Sequence, residues 1–140
     1  MTRKSALAVV AGFVAVVVIT TLVDAILHAV RVFPPIGQPI DDAHAALALS
    51  YRLVIGVVGG WLTSRLAPAE PMRHATVLGV IGTIAGLVGI VATWNLALGP
   101  RWYPVAVAAL PLPECWAGAW IFRRTAQPTD VASAFRRSSG

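Results

Sequence analysis

The chain has 140 residues, of which 57% are hydrophobic and only 12% charged, with a mean hydropathy of +0.75. A soluble domain of this size carries about 25% charged residues, so this composition excludes a sizeable water-soluble globule. The net charge of +5 gathers at the ends of apolar runs instead of on one helical face, which excludes a nucleic-acid surface and reads as a topology signal.

The first predicted span covers residues 5–27, behind Arg3-Lys4. Its uncharged stretch, Ser5 to Val23, is longer than the roughly 7–15 residues of a signal-peptide core, so it is expected to stay as an anchor. Pro34, Pro35 and Pro39 then forbid a continuing helix. Asp41 or Asp42 is placed to cap a second span, 43–66, by accepting orphan backbone N–H bonds. Pro68 and Pro71 end that span. A third covers 72–98 and has no charged residue from Ala75 to Gly99, where Gly99-Pro100 breaks it. The fourth, 102–122, contains Pro111 and Pro113, which loosen a helix and free carbonyls. Residues 1–124 are therefore predicted to be one all-α domain, a polytopic four-transmembrane-helix bundle. The polar stretch 125–140 is expected to be a disordered cytoplasmic tail.

Eight of the eleven basic residues fall on one side of such a bundle: Arg3, Lys4, Arg65, Arg73, Arg123, Arg124, Arg136 and Arg137. Arg31 and Arg101 fall on the other, beside Asp41 and Asp42, and Arg52 lies within the second span. The positive-inside rule then places both termini in the cytoplasm of a multi-pass protein of the inner, or plasma, membrane. Trp102 and Tyr103 suit the outer interface, Trp61 and Trp120 the inner one. A weak internal symmetry matches Gly60-Trp61, Arg65 and Pro68 with Ala119-Trp120, Arg124 and Pro128, which is either a parallel repeat or coincidence.

Lipid tails are as apolar as leucine, so membrane helices associate through small residues and polar contacts. Ala75, Gly79, Gly82, Gly86, Gly89 and Thr93 recur at steps of four and three, one seam of the third span. Ala45, Ala48, Arg52, Gly56, Gly59 and Thr63 repeat this in the second, and Pro104, Ala108, Pro111, Glu114 and Gly118 more loosely in the fourth. Gly56, Gly59, Gly79, Gly82, Gly86, Gly89 and Gly118 are the predicted helix-packing glycines.

These seams also carry charge. An ionised side chain at a helix centre costs about 2.5–3.5 kcal/mol on insertion scales, so Asp24, Arg52 and Glu114 are expected to offset one another. By helical rise Glu114 falls nearly level with Arg52. Arg52 is predicted to bridge Glu114, Asp24 or both, with Tyr51, His28 and Asn95 nearby. This intramembrane set is either a proton- or cation-linked site or a structural ion pair fixing helix register. His28 and His44 form no recognisable ligand spacing, so no metal or cofactor is implied. Cys115 is the single cysteine, which leaves no internal disulfide. No nucleophile elbow, phosphate loop or H-E-x-x-H motif points to an enzyme.

The arrangement Asp24-x-x-x-His28, Phe33-Pro34-Pro35, Tyr51-Arg52 and Gly99-Pro100-Arg101-Trp102-Tyr103-Pro104 resembles small bacterial four-span membrane proteins of uncharacterised activity, over residues 5 to 124. The resemblance implies the architecture and no chemistry. Small multidrug transporters share the length and helix number, but their functional glutamate lies in the first span, where this chain has Asp24 near the outer end. Two functions follow. One is a non-catalytic membrane subunit that packs through its glycine seams against a second copy or another membrane protein. The other is a small oligomeric transporter or ion-conducting protein using Asp24, Arg52 and Glu114. Four short helices leave little room for a substrate cavity within one copy, which favours the subunit; a cavity reaching Glu114 would favour transport.

Overall fold

The computed structural model describes residues 2–138, without the side chains of 127–135. It is helical throughout, with α1 at Arg3–Ala29, α2 at Asp42–Leu66, α3 at Pro71–Thr93, α4 at Trp102–Ala109 and α5 at Pro111–Ser138. The first three are long and apolar enough to cross a membrane, and α4 with α5, bent by 40° at their junction, make a fourth if taken as one span. α2 is the hub, packed on α1, α3 and α5, while α3 also packs on α4, α5 and α1.

The packing is inverted relative to a soluble bundle. The core cluster is Val9, Ala75, Leu78, Cys115 and Ala119, and the largest fully buried side chains are Thr63 and Ser64. Large apolar residues face out instead, Leu7 at 66%, Val88 at 63% and Val91 at 81% exposure. Small residues inside and aliphatic ones outside suit a solvent that is itself apolar.

Local chemistry sets the helix ends. Thr2 caps α1 by accepting from the Ser5 N–H at 3.2 Å. Of the two candidate caps on α2 the structure uses Asp41, which accepts from the His44 N–H at 2.9 Å. The His44 ring adds Nδ1 to Asp41 Oδ1 at 2.6 Å and Nε2 to the Val32 carbonyl at 2.9 Å. These contacts, the backbone N–H first, hold the Asp41 carboxyl below its ordinary value of 3.8. Asp42 is left to accept from the Trp102 indole at 2.6 Å, joining the starts of α2 and α4. The two connections at this end are tied together by the Ile40 N–H, which donates to the Leu98 carbonyl at 2.8 Å.

Three boundaries differ from those expected. The third span stops at Thr93, not 98, because Trp94 to Ala97 turn and Ala97 takes a left-handed φ of 49°. The fourth is two helices, since Pro111 and Pro113 have no N–H to give the carbonyls of Val107 and Ala109. The stretch expected to be an irregular tail continues α5 as far as Ser138, residues 139 and 140 lying outside the described residues. A helix already nucleated in an apolar span extends at one hydrogen bond per residue fixed. Near these ends the symmetric pairs of the sequence do the same thing, Arg65 stacking on Trp61 at 5.2 Å and Arg124 on Trp120 at 4.1 Å.

Candidate functional site

Glycines determine how closely the helices approach, and so where the polar side chains meet. A Cβ on Gly60 would lie 2.5 Å from the Cys115 carbonyl oxygen and 2.6 Å from its Cα. One on Gly118 would strike the Val57 carbonyl and come within 2.5 Å of the Trp61 nitrogen. α2 and α5 therefore touch backbone to backbone. Along α3, Gly79 meets Leu112, Gly82 meets Pro111 and Gly86 meets Ala108, at 2.6–2.9 Å for a hypothetical Cβ. Gly59 packs on Val16 of α1. Gly56 packs against α5 at the Glu114 side chain, whose carboxyl a Cβ there would overlap. Gly89 departs from the expected packing role, since a Cβ there would meet nothing within 4 Å.

Arg52 makes its ion pair with Asp24, Nη2 to Oδ2 at 2.7 Å. The Tyr51 hydroxyl donates to the other oxygen, Oδ1, so both carboxylate oxygens of Asp24 are engaged. Tyr103 of α4 shares the Arg52 cavity, a member the sequence reading missed. Its signal was present, because this bulky aromatic stands one residue before Pro104 on the seam predicted for residues 102–122.

Glu114 is not part of that pair. Instead of lying level with Arg52 it seats against Gly56, one turn further along α2, about 6 Å lower at 1.5 Å per residue. The break before Pro111 shifts α5 out of the straight-helix register on which the expected depth rested. Among the described residues nothing donates a hydrogen bond to the Glu114 carboxyl or pairs with it. Two further expected members stand apart. His28 turns its Nδ1 to the Asp24 backbone carbonyl at 2.7 Å and its ring toward Phe33 at 5.5 Å. Asn95 is exposed in the turn after α3. Phe33 also stands 5.7 Å from His44, so its ring lies against both histidines.

Arg52, Tyr103 and Glu114 line a cavity of about 420 Å³, within the range of small-molecule sites. Its far wall is the upper part of the α3 seam, Gly82, Gly86 and Gly89, and α1 forms one flank. The seam thus closes by close packing near Gly79 and opens at Gly89. The expectation that one copy has little room for a cavity is corrected here. The bend between α4 and α5 and the bare face of Gly89 supply the space. Chemically, the site is the Asp24–Arg52 ion pair, with Arg52 Nε buried and without a partner, next to an unpartnered carboxyl. Arg52 and Glu114 both face a mostly apolar hollow. Comparison with protein families, characterised proteins and solved structures finds no match for this chain.

Proposed function

We propose that this chain is a non-catalytic four-span protein of the inner membrane that takes a proton or a small cation at Glu114 within its cavity, as a small transporter does. α4 and α5 together form the fourth, broken span, and both termini lie in the cytoplasm. The basic residues support that orientation: Arg3, Lys4, Arg65, Arg73, Arg123 and Arg124 gather at one end of the helices and Arg31 and Arg101 at the other.

The observation that carries the reading is the unpartnered Glu114 carboxyl beside a 420 Å³ cavity. A carboxylate kept only for helix register would be paired, as Asp24 is. The neutralised Asp24–Arg52 pair leaves Glu114 as the site's one uncompensated acid, and a broken helix beside it is the usual setting of transporter ion sites. The glycine seams lend little to the subunit reading, because α2, α3 and α5 use most of them against one another within a single chain.

Infrared difference spectroscopy of the protein in liposomes, under an imposed ion gradient, tests the reading. The expected result is a carboxyl signal that shifts with the gradient, vanishes in Glu114→Gln and persists in Arg52→Gln. A Glu114 signal indifferent to both pH and gradient would return the cavity to a packing defect and the protein to the subunit reading.

A further inference from the structure

A second hollow, also of about 420 Å³, lies under the connections at the Arg101 end of the helices. Asn95 and Arg101 give it a polar mouth, and Ile40 reaches it from the connection between α1 and α2. Ile40 is held there, because its N–H donates to the Leu98 carbonyl at 2.8 Å and its Cγ1 lies 2.8 Å from where a Cβ on Gly99 would stand. Thr93, Tyr103 and Pro104 line this hollow and the Glu114 cavity alike. The two spaces therefore share a wall, and Tyr103 is its largest side chain.

From that wall the way to Glu114 is open. The Thr93 hydroxyl is turned down its own helix, donating to the Gly89 carbonyl at 2.7 Å. A Cβ on Gly89 would meet nothing within 4 Å, and Gly89, Gly86 and Gly82 line the cavity that ends on the Glu114 carboxyl. The other end is shut by main chain. Gly60 abuts Cys115 and Gly79 abuts Leu112, at 2.5–2.9 Å for a hypothetical Cβ. Beyond these contacts Thr63, Ala75 and Ala119 are 0% exposed. A side chain turns in picoseconds to nanoseconds, whereas packed helices shift in microseconds to milliseconds, so the Tyr103 wall is the one that water crosses first.

We infer that the hollow at the Arg101 end is the vestibule of the Glu114 cavity, that the ion enters from this end alone in the conformation described, and that Tyr103 is the gate between the two spaces. The ring closes the passage by its bulk. The backbone that carries it stays in place, because the indole N–H of the adjacent Trp102 is tied to Asp42 at 2.6 Å. Opening is then a turn of one side chain, while the glycine contacts keep the far end sealed. The inference rests on the cavity being an ion site, but its test follows water access and not ion binding, so either can fail alone.

The test is labelling of single cysteines by a membrane-impermeant methanethiosulfonate reagent, in right-side-out and inverted membrane vesicles, on a Cys115→Ala background. Gln38→Cys, in the exposed connection before α2, reports which face the Arg101 end occupies. Gly89→Cys is expected to react from that same face alone. With Tyr103→Ala it should react about tenfold faster, the rate change of a barrier lowered by ~1.4 kcal/mol, and with Tyr103→Phe at the original rate. Thr63→Cys, close in size to the native side chain, is expected to stay unreactive from both faces, with or without Tyr103→Ala. Reaction of Gly89→Cys from the other face, or from neither even with Tyr103→Ala, overturns the route. Equal rates with Tyr103 and Tyr103→Ala, or a fast Tyr103→Phe, overturn the gate. So does a reactive Thr63→Cys in Tyr103→Ala, which would trace the gain to a loosened bundle. Labelling of Gly89→Cys should persist in Glu114→Gln, so a cavity that admits water while its carboxyl ignores an ion gradient removes the ion site and leaves the vestibule.

Discussion

Gly60→Ala is expected to force α2 and α5 apart and to destabilise the protein by about 3 kcal/mol, the upper end of ordinary overpacking. The added methyl would sit 2.5–2.9 Å from the Cys115 backbone, where no rotamer change makes room. Gly118→Ala meets the Val57 and Trp61 backbone and is expected to cost as much. Both clashes are relieved by the same separation, so the double variant should cost less than the sum. Gly89→Ala is the internal control. It meets nothing and gains helix propensity, so its effect should lie between zero and about 1 kcal/mol of stabilisation. Reversible unfolding in mixed micelles measures all four. Equal effects at Gly60 and Gly89 would show that the α2–α5 approach is looser than described.

Breaking the Asp24–Arg52 pair is the second large effect. Removing one partner of a buried pair costs about 3–5 kcal/mol. These side chains are 31% and 32% exposed, so about 2 kcal/mol is the appropriate expectation for each of Asp24→Asn and Arg52→Gln. Asp24→Asn strands a guanidinium while its amide oxygen can still accept from the Tyr51 hydroxyl, whereas Arg52→Gln leaves Asp24 with the Tyr51 hydroxyl alone. The Asp24→Asn, Arg52→Gln double variant is expected to recover part of the loss, because neither charge is then stranded. A double variant that costs the full sum of the singles would mean the two groups are not coupled.

Much of this was legible in the residues. Apolar runs and prolines located every helix to within a few residues, except where Ala97 turned the third span early and where the polar stretch after Phe122 carried α5 onward. That Arg52 would bridge Glu114, Asp24 or both followed from charge and reach, and the structure takes Asp24. The depth of Glu114 did not, because that argument took the fourth span as straight. A proline weakens a helix at a known position, but the size and direction of the bend depend on what packs around it, here Gly82 against Pro111. The cavity was hidden for the same reason. A stripe of small residues reads as a closed seam, and only the placement of a neighbour tells that Gly79 is covered while Gly89 is bare.

The glycine contacts also differ in whether a lesion there can be repaired. At Gly12 the obstacle to a methyl is foremost a side chain, the Thr63 hydroxyl, and at Gly56 it is the Glu114 carboxyl. A second substitution that shortens the offending group can restore either fit. At Gly60 and Gly118 the obstacle is main chain, which every residue possesses and no substitution makes smaller. Damage there has no local suppressor. The main-chain contacts of α2 and α5 at Gly60 and Gly118 thus have little freedom to drift in sequence, while the Gly12–Thr63 and Gly56–Glu114 contacts can exchange bulk between their two sides over successive generations.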